Sequence, residues 1–278
     1  MNCRCDVIAV GRGESLTLAQ ETPMDELVKT REERVLRLTL NRAEQNNLLT
    51  PTLVRELVVA LAGASVDREV GCVLLDASGP MFCGGLDLQE LAGAGADGIC
   101  EAHGALFSIG MEYSKPVVAA VHGPCLGAGV GLAANAHVIL AAQGVKFGLT
   151  EVRYGFWPFA AHRALVLAMG ERRVTELSLT GRIFGAQEAL QYGLVQEIAP
   201  AFELDDRATV MARHLASCSP EAVRRGLEFI RRCRTVDGDQ AAALAADMGR
   251  QGAASADFAE GIRAMREARR PEWPALES

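Results

Sequence analysis

The chain has 278 residues, 49% apolar and 23% charged, with a formal net charge of −7 at pH 7. That length suits one large domain, or a domain with a smaller appendage. The acidic balance argues against nucleic acid as the main partner, and no run reaches the roughly 18 uncharged apolar residues a membrane span needs.

The first 23 residues hold no long apolar segment, so no secretory signal is evident. Val35-Leu-Arg-Leu-Thr-Leu40 alternates and predicts a half-buried strand. Thr50 and Pro51 read as an N-cap and a first helical position, followed by Leu53, Val54, Leu57, Val58 and Leu61 at helical spacing. A strand over Gly71–Asp76 leads into the glycine loop Phe82-Cys-Gly-Gly-Leu-Asp-Leu88, and a helix follows around Ala102–Met111. Pro116–Val121 is the next strand; a glycine-rich turn then opens a small-residue helix, and Val138–Ala142 is strand again. Short strands alternating with helices predict an α/β architecture with crossover connections, without deciding the sheet topology. From Asp205 to Arg269 the chain is rich in Ala and Arg at helical spacing, with breaks at Ser219-Pro220 and Gly238, so three or four helices are expected there.

The eight cysteines are scattered, several within apolar segments, which suits reduced buried thiols in a cytosolic protein better than a disulfide framework. Cys3 and Cys5 have no further paired ligands nearby, so a zinc site is not expected.

The stretch Lys115 to Asn135 carries the most chemistry. A buried strand running into glycines at a helix start aims free backbone N–H groups, and the positive end of a helix dipole, at one spot. No GK[ST] is present for a phosphate loop, and Gly127, Gly129 and Gly131 do not make a dinucleotide fingerprint. One such loop alone reads as tight strand-to-helix packing. Two of them, each following a strand, suggest a two-donor oxyanion hole.

Asn41-Arg42 with Asn47, the loop from Phe82, the Lys115–Asn135 stretch and Lys146-Phe-Gly-Leu-Thr-Glu-Val-Arg-Tyr-Gly-Phe-Trp-Pro158 together resemble the crotonase (enoyl-CoA hydratase/isomerase) superfamily. Leu179-Thr-Gly-Arg-Ile-Phe-Gly-Ala-Gln-Glu-Ala-Leu190, Gly193-Leu-Val and the tail from Phe258 to Pro271 extend the likeness, in order, over about residues 24 to 273. The resemblance implies a spiral of ββα turns over 24–204, bearing an acyl-CoA site. It further implies a helical region over 205–278 that closes the pocket and joins subunits as a homotrimer or dimer of trimers. Residues 1–23 would be a leader, disordered or upstream of the start. The substrate would be a thioester of coenzyme A, or of an acyl-carrier protein, with no prosthetic group and a cytoplasmic setting.

By the same resemblance, the oxyanion amides fall at Leu86 and Ala128. One of the two glutamates of the family's hydratases corresponds to Glu151; the position of the other is Gly131. Hydration uses a carboxylate pair on one water, whereas moving a double bond needs one base, so a single Glu151 points to isomerisation. A substituted hydratase, a thioester decarboxylase or hydrolase, and a non-catalytic thioester-binding member are the alternatives. Glu151 is flanked by Phe147, Leu149, Phe156 and Trp157, apolar surroundings that raise a carboxylate pKa. The bland reading is a surface Glu paired with Arg153. The resemblance also assigns Cys83, Asp87 and Leu88 to the coenzyme's adenine and Arg42 and Arg269 to its phosphates. Gly131, Phe156, Trp157 and His162 line the expected acyl pocket; for His162, helix capping is the plainer role.

Overall fold

The protein is described by a computed structural model covering residues 25–90, 104, 106–107 and 113–276. β1 (Leu27–Glu32) and β2 (Val35–Leu40) form an antiparallel hairpin whose tight turn places Glu33 at φ 51°. Thr50 caps α1 (Pro51–Val66) as expected, its hydroxyl accepting the Leu53 N–H at 3.0 Å. α1 returns the chain to β3 (Cys72–Ala77), parallel to β2 and one residue later than the sequence suggests. β4 (Val117–Val121) pairs parallel to β3, and all of β4 and the first four residues of β3 are apolar and buried because both faces of the sheet are covered there.

Past β4 the chain makes β5 (Cys125–Leu126) and α2 (Ala128–Ala134), then β6 (Val138–Ala142) and β7 (Lys146–Gly148). α3 (His162–Met169) and α4 (Glu171–Thr180) follow, then β8 (Ile183–Gly185), α5 (Ala186–Gln191) and β9 (Glu197–Ala199). The large sheet has the order β1-β2-β3-β4-β6-β9, and a small one the order β5-β7-β8. Single parallel bridges, Cys83 to Cys125 and Leu49 to Leu86, continue the small sheet upstream. Successive turns thus lay one segment on each sheet, which is the spiral of ββα turns anticipated above. The helix expected around residues 102–111 lies almost wholly outside the described residues, as does the leader.

Four helices close the chain: α6 (Leu204–Ser217), α7 (Pro220–Cys233), α8 (Gly238–Ala253) and α9 (Ala256–Arg266). α1 covers one face of the large sheet with Leu53, Val54, Leu57 and Leu61, and α6 packs on β3 and β4 through Ala208, Ala212 and Ala216. The approach is close enough that a Cβ on Gly71 would lie 2.9 Å from the Ala216 Cα. Among the described residues, no helix is long and apolar enough to cross a membrane.

Candidate active site

The parallel strands deliver two loops to one end of the sheet. The first is tied down by Asn47, which is fully buried at φ 51°. Its Oδ1 accepts the Arg42 N–H, and its Nδ2 donates to the carbonyls of Ser78 and Met81, all at 2.8 Å. The segment after β2 is thereby locked to the segment after β3. The Leu49 N–H donates to the Gly85 carbonyl at 2.8 Å and the Asp87 N–H to the Leu49 carbonyl at 3.2 Å. In such a parallel bridge the intervening residue turns its own N–H the other way. The Leu86 N–H is that group, and it has no acceptor among the described residues.

The second loop lies against the first. The Leu126 N–H donates to the Cys83 carbonyl at 2.9 Å, and the Gly127 N–H to the Gly148 carbonyl at 2.7 Å. Gly127 sits at φ 53°, and a Cβ on Gly129 would meet the Cys83 carbonyl at 2.7 Å, so the close approach requires glycine. Ala128 is the first residue of α2, where an N–H has no partner within the helix. A Cβ on Gly85 would lie 3.5 Å from the Ala128 nitrogen, so the two unpaired amides occupy neighbouring positions.

Glu151 completes the cluster. It opens a short 3-10 helix after β7 and is 8% exposed, with one carboxylate oxygen, Oε2, buried and unpartnered. A Cβ on Gly127 would lie 3.2 Å from its other oxygen, which sets the carboxylate beside the residue preceding Ala128. Burial raises its pKa above the ordinary value of 4.5, against the lowering effect of a hydrogen bond from its own backbone. Phe147 and Leu149, its neighbours in the chain, are both fully buried. The surface pairing of Glu151 with Arg153 is not found among the ion pairs of the described residues.

Gly131 has no space for a side chain: a Cβ there would lie 2.3 Å from the Ala161 Cβ and 3.0 Å from the Phe107 ring. The room that a second carboxylate would need is filled from the opposite side. Ala161 and Phe107 were not singled out from the sequence, and nor was the locking role of Asn47.

The other expected residues are placed as follows. Cys83 is buried with its thiol pushed up to about 12 by desolvation, so only its backbone is available for recognition. Asp87 organises its own loop, accepting the N–H groups of Gln89 and Glu90 at 3.2 Å, while Leu88 is exposed. The two arginines expected at the phosphates both have partners within the chain. Arg42 is held by Glu26 at 3.1 Å, Asp87 at 3.8 Å and the Leu48 carbonyl, and Arg269 by Glu260 and Glu267 at 2.6 Å each. Each guanidinium thus has carboxylate partners in the single chain. His162 begins α3 next to Ala161, with its Nδ1 buried and unpartnered. Phe156 packs edge-on against the exposed Phe159, ring centroids 5.9 Å apart, and Trp157 between them is half-buried. His122 bonds the Gly79 carbonyl and Tyr113 the Leu61 carbonyl, both structural roles. Among the described residues no cluster of His, Cys, Asp or Glu is arranged to hold a metal.

Residues 30–275 match the family described as enoyl-CoA hydratase/isomerase. The chain is 31% identical to 2,3-dehydroadipyl-CoA hydratase of Escherichia coli over 252 residues, covering 90% of this chain and 99% of that protein. A putative enoyl-CoA hydratase of Thermus thermophilus is 33% identical over 256 residues, with coverage of 89% and 100%. Among solved structures, an enoyl-CoA hydratase of Mycobacterium smegmatis aligns with a TM-score of 0.84 at 28% identity, over 90% of this chain and 100% of that one. One from Bacillus anthracis aligns at 0.83 and 30% identity, over 90% and 99%.

Proposed function

Because the chain belongs to the enoyl-CoA hydratase/isomerase family, we propose that it shifts the double bond of an enoyl-CoA thioester, with Glu151 as the single base. The observation that carries this reading is the packing at Gly131. Ala161 and Phe107 close the space a second carboxylate would occupy, so one acid remains beside the two amides.

The chemistry balances on that acid alone. Glu151 takes a proton from the carbon between the carbonyl and a 3,4 double bond, and the electron pair moves onto the thioester oxygen as a dienolate. The Leu86 and Ala128 N–H groups, fixed before the charge appears, hold that oxygen; losing one such donor typically costs about 2.7–4 kcal/mol of barrier stabilisation. The same carboxyl returns the proton at carbon 4, leaving a conjugated 2-enoyl thioester and an unchanged enzyme. Coenzyme A, or a carrier protein in its place, enters only as part of the substrate, against the backbone of Cys83, Asp87 and Leu88. The acyl chain runs along Gly131, Phe156, Trp157 and His162. Assembly as a trimer or pair of trimers through residues 205–278 is supported by α7, which carries Leu227 and Ile230 yet buries no residue in the single chain. A cytoplasmic setting accords with three buried, unbridged thiols, Cys72, Cys83 and Cys125.

Hydration is the second reading, favoured by the hydratase names of the relatives. Two absorbance assays separate them: gain of conjugation from a 3-enoyl-CoA, and loss of it from crotonyl-CoA in water. The expectation is turnover in the first and none in the second, with Glu151→Gln slowing the first by roughly 10²- to 10⁴-fold. Hydration outpacing isomerisation, or a fully active Gln variant, would remove this assignment.

A further inference from the structure

A large cleft lies at the opposite end of the sheet from Glu151. It measures about 590 Å³ and opens where β2, β3 and β4 begin, between α1, α6 and the start of α7. β4 has five residues, so at about 3.3 Å per residue the cleft is roughly 15–20 Å from the glycine loops. Its volume falls within the range of small-molecule sites.

The charges in it do not balance. Arg34, Arg68, Lys115 and Arg224 line it, in a chain whose net charge is −7. Arg34 donates to the Ala216 carbonyl at 3.3 Å and Lys115 to the Asp67 carbonyl, both backbone acceptors. Neither has a carboxylate within ion-pair distance among the described residues, and Arg68 has no hydrogen bond or ion pair there at all. Only Arg224 has a carboxylate partner, Glu228, at 3.5 Å. The acids at hand are occupied. Glu221 pairs with Arg225 at 2.8 Å, and Asp257 accepts from the Ser219 hydroxyl and from the Glu221 and Ala275 N–H groups. Asp67 caps Glu69 and faces Arg31 at 3.8 Å, and Glu69 acts on Arg34 only from beyond contact. Arg34 and Lys115 are partly buried, and burial lowers the pKa of each, outweighing the pull of Glu69 on Arg34 and of Asp67 on Lys115, neither of which lies within ion-pair distance. Between the cations the wall is apolar, with Val66, Val70, Leu215 and Val223.

From this juxtaposition we propose that the cleft between β2–β4, α1 and α6 is a binding site for a small organic anion. The ligand would have a carboxylate or phosphate head on Arg34, Arg68 and Lys115 and an apolar body against the valines and Leu215. Guanidinium groups suit either head, since both offer paired oxygens. The site is separate from the thioester site and independent of the reaction catalysed there.

Calorimetric titration of the full chain with octanoate, octyl phosphate, octanol and inorganic phosphate tests this, with butyryl-CoA present in excess to fill the thioester site. One equivalent of octanoate or octyl phosphate should bind, and whichever binds more tightly identifies the head. Octanol and inorganic phosphate should bind at least tenfold more weakly. Arg68→Glu, at an exposed side chain with no partner to lose, should lower the affinity at least tenfold, and Lys115→Gln should act in the same direction. Octanol binding as well as the anions, affinity indifferent to Arg68→Glu, or no binding by either amphiphile would overturn the proposal.

Discussion

With one oxygen of Glu151 enclosed and unpaired, the protonated acid is the form the fold tolerates best. Between the ordinary value of 4.5 and the raised one, the folded chain keeps a proton that the unfolded chain has released, so stability falls as pH rises through that window. Glu151→Gln should therefore melt higher than the parent at pH 7, with the gap closing as pH drops to about 4.5. An equal or lower melting temperature at pH 7 would mean that burial costs the carboxylate nothing. The activity limb has the opposite sense: the base form accumulates as pH rises, so kcat/KM for isomerisation should climb with a midpoint above 4.5. At Gly131 the argument is steric. Gly131→Ala should destabilise by about 1–3 kcal/mol through overpacking against Ala161 and Phe107. Adding Ala161→Gly should recover part of that loss, a non-additive pair readable by denaturant titration. The burial of Glu151 was legible through the apolar residues around it. The filling of the space beside Gly131 was not, because a glycine in a sequence does not say which distant side chain takes its place.

At the scale of elements, legibility followed length and pattern. β2 and β6 have the predicted bounds because alternating or unbroken apolar residues mark them, and α1 starts where Thr50 and Pro51 place it. β7, β8 and β9 have three residues each, too few for any period to show. The geometry of the loops was less legible than their glycines, since Asn47 works through carbonyls of residues 78 and 81 that only the fold brings to it. Asn47→Ala removes one acceptor and two donors at a buried site, where an unsatisfied partner costs about 1–3 kcal/mol. A total loss of roughly 2–4 kcal/mol by chemical denaturation is expected. Because the same lock sets the direction of the Leu86 N–H, kcat should fall even under conditions where the variant is fully folded. Unchanged kcat would separate the lock from the oxyanion site.

Across the whole molecule, a C-terminal region of three or four helices was readable from its helical spacing, and four are found, but their attachment was not readable. Asp257 and Glu260 look in sequence like ordinary outward charges of α9, yet both are buried. Their partners come from Ser219 at the start of α7 and from the tail beyond α9. The ion pairs of Arg42 and Arg269 were hidden for the same reason, since a cation in a motif does not disclose which internal carboxylate pairs with it. Glu260 accepts from Arg269 at 2.6 Å, from the Glu272 N–H at 2.9 Å and from Arg263, and these bonds, that of Arg269 foremost, hold its pKa down to about 2. A depressed carboxylate contributes stability that is present above its unfolded value near 4.5 and is lost as pH falls from there to about 2. Trp273 reports on this attachment, because its indole N–H donates to the Ser217 carbonyl at 2.8 Å and so bridges the tail to α6. In a Trp157→Phe background, Trp273 is the remaining one of the chain's two tryptophans. Its fluorescence should change between pH 4.5 and 2 as the tail lets go. With Glu260→Gln added, which cannot titrate, the tail should already be loosened at pH 7 and that acid step should flatten. An acid profile identical with and without Glu260→Gln would assign the attachment to Asp257 and the indole instead.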